Sequence, residues 1–345
     1  MFVKPIIAEQ WVLDGEVHYE RQDADDLLYI KPLLQSHGEV APGFSVLHSL
    51  ILDNNVFNDL VENRRPENNK FLADLLRTTP LELNPTFAMI EQRQNYAGAP
   101  EKLREYAELL ERTFGWSAAK VGAAEFEISM AESRSAIKAN IELLSGYLAA
   151  TIFLFHQDVP AITKLEWLAG MVKNADLPFF QLHFYFAALV FLAAESPSLF
   201  HPKDVKKIKS DMKIAPTYEE QKTKLANLSN DLALPALAIF PAKNYGNALV
   251  FPYVATRDRL VQLFLGEISC QMVVDAGNGR ANGSWELKKT GVINMHLGTA
   301  VDRHIPRRYV ASSREDMAVR KVRLQAFTEQ YAKLCVEFKT KNSVT

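Results

Sequence analysis

The rhythm of apolar and polar positions changes along the chain, and the changes mark its parts. Residues 1–44 mix short apolar runs with charge and turn residues, which predicts a few irregular strands or turns before the break at Pro42-Gly43. Residues 46–52 (VLHSLIL) form a short apolar run of strand length, which suits a buried parallel strand. Asp53-Asn54-Asn55 suits a turn or helix cap, and Val56, Phe57, Leu60 and Val61 then fall at helical spacing. A second helix is expected over 69–77, a short strand over 81–84, and a further helix from Phe87 capped by Thr86.

From residue 100 to 222 the pattern is helical. Leu103, Ala107, Leu110 and Phe114 share one face, and 118–155 is rich in strong helix formers. Pro160 and Pro178 punctuate the stretch, and 203–213 (KDVKKIKSDMK) reads as a basic helix. Alternation returns afterwards. A helix over 223–239, interrupted or ended near Pro235, precedes a strand over 248–255, whose Pro252 argues for an edge or a bulge. A helix over 259–265 and strands over 268–274, 285–288 and 292–297 follow, joined by Gly/Asn turns. Ser313 to Asp316 has the form of a capping box for a last helix striped by Leu324, Phe327, Tyr331, Leu334 and Phe338.

Composition narrows the class without deciding it. The 345 residues are 48% hydrophobic and 23% charged, an ordinary globular balance. A net charge of −2 supplies no global field for polyanions, so any such site must be local. Two distant cysteines, Cys270 and Cys335, make neither a disulfide framework nor a CxxC zinc site, and a reducing, cytoplasmic setting is expected. The N-terminus lacks the apolar stretch of a signal peptide. The most apolar segment, 179–194, is short for a membrane span and contains Gln181 and His183, so it reads as a buried helix.

Four acids stand out by their settings. Asp53 and Asp258 each follow an apolar strand, where functional groups gather in open α/β sheets. Glu91 lies in the first turns of a helix after a short strand, and Asp231 lies in a late helix. Carboxylates brought together repel and need a cation, and oxygen-only ligands suit Mg²⁺ or Mn²⁺. Each residue also has a plainer reading. Asp53, Asp231, Asp258 and Thr256 can all serve as helix caps, Asn55 can bond only its turn, and Glu91 can be a solvated helix residue.

At these positions the sequence resembles the PIN-like nuclease family. The resemblance is carried by Leu52-Asp53-Asn54-Asn55 after its strand, by 84–91 (NPTFAMIE), by Asn230-Asp231-Leu232, and by Thr256-Arg257-Asp258, similar to the family's Thr-x-Asp motif. These short motifs keep the family's order and cover under a third of the chain. The resemblance implies a parallel sheet flanked by helices, with Asp53, Glu91, Asp231 and Asp258 holding the metal, Asn55 and Thr256 supporting them, and endonucleolytic cleavage of RNA, less often DNA. It also admits a toxin or defence effector, with an inhibitory partner protein or a second copy of the chain as partner. The long helical stretch departs from compact members and makes Asp176 a rival to Asp231.

The expected organisation is therefore an N-terminal extension (1–44), a discontinuous nuclease core (45–99 and 223–266), an all-helical insertion (100–222) and a C-terminal extension of strands and helix (267–345). Arg257, Arg259, Lys206, Lys207 and Lys209 are the candidate phosphate contacts, although charge runs are usually solvated faces. The histidines show no HxxxH spacing, and no GxGxxG, Walker A or GxSxG pattern occurs. Two further functions stay open. One is a PIN-like module that binds nucleic acid or protein without cutting. The other is a metal-dependent phosphatase for a small ester.

Overall fold

The computed structural model describes residues 5–6, 17–20, 27–32, 45–62, 64, 66, 69–70, 72, 81–84, 108, 141–238, 248–275, 281–305, 311 and 316–342. The chain is mixed α/β, with more helix than strand among these residues. It divides into two compact units. The first comprises Met1–Lys138, Leu234–Asp258 and Cys270–Ser284, and the second Ala139–Ala233, Arg259–Ser269 and Trp285–Thr345. The stretch expected as one helical insertion thus contributes 100–138 to the first unit and 139–222 to the second.

The first unit is built on strands β1 (Pro5–Ile6), β2 (Val17–Glu20), β3 (Leu27–Pro32), β4 (Ser45–Leu52), β5 (Leu81–Asn84), β6 (Ala248–Thr256) and most of β7 (Ile268–Asp275) and β8 (Ala281–Leu287), the first two residues of β7 and the last three of β8 being assigned to the second unit. Five of them form a sheet in the order β2-β3-β6-β4-β5, and β1, β7 and β8 form a smaller one. Strand β4 runs parallel to both β5 and β6, with Ile51 opposite Asn84 on one side and Leu52 opposite Ala255 on the other. Ser49 to Leu52 and Tyr253 to Thr256 are all buried, so in these stretches successive residues on both faces are covered. Helix α1 (Asn54–Glu62) follows β4 directly and buries Val56, Phe57 and Leu60.

Two expectations need correction here. The sheet is mixed rather than parallel, because β3 pairs antiparallel with β6 and β2 with β3. Part of the supposed N-terminal extension is therefore integral to the sheet. Nor is β6 an edge strand. Its pairing with β3 begins at Tyr253, so Pro252 lies one residue before the first pair and breaks no bond there.

The second unit is helical: α2 (residues 141–155), α3 (Ala161–Asn174), α4 (Gln181–Glu195), α5 (Pro202–Asp211), α6 (Tyr218–Ala238), α7 (Arg259–Glu267), α8 (Val292–His304) and α9 (Met317–Asn342), with the last turn of α6 assigned to the first unit. Every residue from Leu182 to Ala193 in α4 is buried, as expected for a helix that is apolar all round and central to a bundle. Helices α3, α5 and α8 pack against it. Among the described residues no helix is long and apolar enough to cross a membrane.

Segment 292–297, expected as a strand, is the start of α8. Ile293, Leu297 and Val301 repeat every fourth residue and are buried, a helical stripe too long for a six-residue window to show. The buried Glu267 carboxylate accepts the Ile293 N–H at 2.9 Å and caps the helix. Helix α6 begins at Tyr218 and continues through Pro235, rather than ending there. Helix α9 is capped by Asp316, whose carboxylate accepts the N–H groups of Ala318 and Val319 at 3.0 Å; Ser313 lies outside the described residues.

Candidate functional site

Asp53 and Thr256 sit side by side because their strands are parallel neighbours. The β4–β6 ladder runs on past the strand, with the Asp53 N–H donating to the Ala255 carbonyl at 2.9 Å. Both motifs therefore leave the sheet at the same carboxyl edge, where β5 also ends. The Thr256 hydroxyl donates to Asp53 Oδ2 at 2.5 Å and accepts the Asp258 N–H at 3.0 Å. The Asn54 N–H donates to Asp53 Oδ1 at 2.7 Å, and the Asn55 side chain also bonds the carboxylate. The Asn55 oxygen accepts the Arg257 N–H at 3.3 Å. Two segments some two hundred residues apart are thus stitched together around one buried carboxylate.

Asp53 is 2% exposed. Burial pushes its carboxyl up from 3.8 to about 6; the Thr256 hydrogen bond opposes the rise, the charge of Asp258 adds to it, and Asn54 and Asn55 oppose it. A carboxylate in this setting is ionised at neutral pH yet gains from a nearby cation. The atoms on offer are carboxylate, hydroxyl and amide oxygens, which suit a hard ion such as Mg²⁺ or Mn²⁺ and not zinc. Among the described residues no three His, Cys, Asp or Glu side chains gather where they could hold one ion. Mg²⁺ is commonly held by one or two carboxylates with water and substrate phosphate completing its shell, and the pair Asp53 and Asp258 meets that minimum.

The other expected site residues are placed as follows. Glu91 lies outside the described residues. Asp231 belongs to the second unit, where it and Lys207 line a cavity of about 570 Å³ together with Asp211, Lys224 and Asn227. Its rival Asp176 also lies there, at φ 50° in the left-handed region, in an ion pair with Arg323. Arg257 directs Nε to Asp59 of α1 at 3.0 Å, and Arg259 is paired with Asp204 of α5. Lys207 meets Asp211 at 3.1 Å, whereas Lys206 and Lys209 are exposed on α5. The Arg257–Asp59 pair and the Glu267 cap join residues with no local signal linking them, so sequence reading missed both.

Comparison of the chain with family models, with curated proteins and with solved structures finds no match.

Proposed function

We propose that the chain is a metal-dependent endonuclease with a PIN-like site, acting on RNA in preference to DNA. The observation that carries this reading is the buried Asp53, hydrogen-bonded to Thr256 and electrostatically coupled to Asp258 at the end of the adjacent parallel strand. A mixed sheet whose parallel strands end together at this acidic edge is compatible with a PIN-like core. Asp53 and Asp258 would hold the ion, and Thr256 and Asn55 would fix the Asp53 oxygens so that the ion meets a preorganised set. The bound ion would supply a hydroxide nucleophile and offset charge on the phosphate in an in-line displacement. Glu91 would join from the segment after β5, the strand next to β4. The exposed lysines of α5 would hold backbone phosphates.

Labelled RNA and DNA, incubated with Mg²⁺ or Mn²⁺ and with excess chelator, test this reading. Internal cleavage of RNA that the chelator abolishes is expected. Cleavage in chelator overturns the metal, binding without cleavage favours a non-cutting module, and release of phosphate from a small ester alone favours a phosphatase.

A further inference from the structure

The geometry points to Arg257 as a positioning residue for the Asp53–Asp258 pair rather than a contact for substrate, an inference that rests on the metal-dependent reading above. Arg257 lies between Thr256 and Asp258, so a substrate role is the obvious one for its charge. Its side chain, however, is only 10% exposed, and its Nε is directed to Asp59. The same residue grips α1 a second time, since its backbone N–H donates to the Asn55 oxygen at 3.3 Å. Asn55 and Asp59 stand four residues apart, one helical turn, so both present to the same side of α1. One residue of β6's trailing end therefore clamps the first two turns of the helix that starts beside Asp53. Asn55 in turn bonds the Asp53 carboxylate. Arg257 thus fixes the helix, the helix fixes Asn55, and Asn55 with Thr256 fixes the Asp53 oxygens.

A bidentate-capable guanidinium suits this task better than an ammonium, because its planar fork holds direction as well as charge. Supporting partners of metal ligands typically change metal affinity by about 10–100-fold when removed. The clamp should act on the ion in that range and leave nucleic-acid affinity alone.

The test uses the full chain with Mn²⁺ as the probe. Calorimetric Mn²⁺ binding is measured for the wild type, Asp59→Asn, Arg257→Gln and the double variant, beside the KM and kcat for RNA cleavage. Each single variant should weaken Mn²⁺ binding about tenfold or more. The double variant should be no worse than the weaker single one, because both remove the same clamp. KM for RNA should hold while kcat at fixed Mn²⁺ falls. Asp59→Asn removes the charge of the pair with little change of shape and serves if Arg257→Gln does not fold. Unchanged Mn²⁺ affinity in Asp59→Asn overturns the proposal and leaves a packing ion pair. A raised KM with unchanged Mn²⁺ affinity in Arg257→Gln also overturns it, in favour of substrate contact. Failure of the underlying reading is distinct, because the wild type itself would then bind no Mn²⁺.

Discussion

Asp53 in the first unit and His183 in the second are both almost wholly buried, yet their surroundings answer burial differently. Asp53 has three hydrogen-bonding partners and a second acid beside it, at the edge where parallel strands end. His183 sits in α4 among the rings of Tyr147 and Phe186, and Thr151 Oγ1 lies 2.8 Å from its Nε2. Burial holds its imidazole down at about 3, so it is neutral at every physiological pH. Asp53, by contrast, is pushed only to about 6 and carries charge at neutral pH. A buried group kept neutral by burial belongs to a core, whereas a buried charge kept among donors beside a like charge is the setting in which the proposed cation would act. The units differ in overall charge as well. Acids outnumber bases in the first and bases outnumber acids in the second, so the second unit offers the more favourable field to a polyanion.

The two groups therefore push pH dependence in opposite directions. The unfolded chain protonates His183 near 6.5 and the folded chain only near 3, so the unfolded state holds more protons between these values. Stability should fall as pH is lowered through that window, by up to about 5 kcal/mol in all. Urea unfolding at pH 7, 5.5 and 4 should show the loss in the wild type and a flatter acid limb in His183→Gln. Identical limbs would remove His183 from the core's account.

Packing in the second unit can be probed at two helical glycines with opposite expected signs. A Cβ at Gly146 of α2 would meet Leu324 Cδ1 at 2.7 Å and Thr328 Oγ1 at 2.9 Å, both on α9. Gly146→Val should destabilise by about 1–3 kcal/mol through overpacking. Gly170 of α3 has nothing within 4 Å of such a Cβ, and Gly170→Ala should stabilise by up to about 1 kcal/mol through helix propensity. Equal melting shifts in the two variants would break the distinction.

The smallest effect is expected at the α5 lysines. Replacing Lys206, Lys207 and Lys209 by Ala should weaken RNA binding and reduce its salt slope by about 0.7–0.9 for each phosphate no longer neutralised. Lys207 should contribute least, since it already meets Asp211. An unchanged slope would make the run a solvated face.

The parallel part of the sheet is the most legible element of the chain. Strands buried on both faces leave mainly apolar runs, and β4 and β6 lie where those runs stand, with Asp53 and Asp258 just beyond them, while the short β5 also falls at its expected place. What stays hidden depends on distant pairing. Nothing local in 27–32 announces that it completes the sheet beside β6. Asp231 is near Asp258 in sequence, and the division of α6 between the two units, with Asp231 in the second, is likewise invisible there. Residues 292–297 form a helix and not the expected strand because Glu267, a residue outside that window, caps it.

The claim that Asp53 awaits a cation is tested most directly by the unfolding of wild type and Asp53→Asn at pH 7.5, with and without Mn²⁺. Raised from 3.8 to about 6, the ionised carboxylate costs the folded state up to about 3 kcal/mol, a cost that grows from pH 4 to 6 and then stays constant. Without metal the Asn variant should be the more stable protein. Mn²⁺ at a hundred times its Kd should stabilise the wild type by about 2.7 kcal/mol and leave the variant unmoved. A wild-type transition that Mn²⁺ does not shift, or an Asn variant that it stabilises equally, would contradict the account.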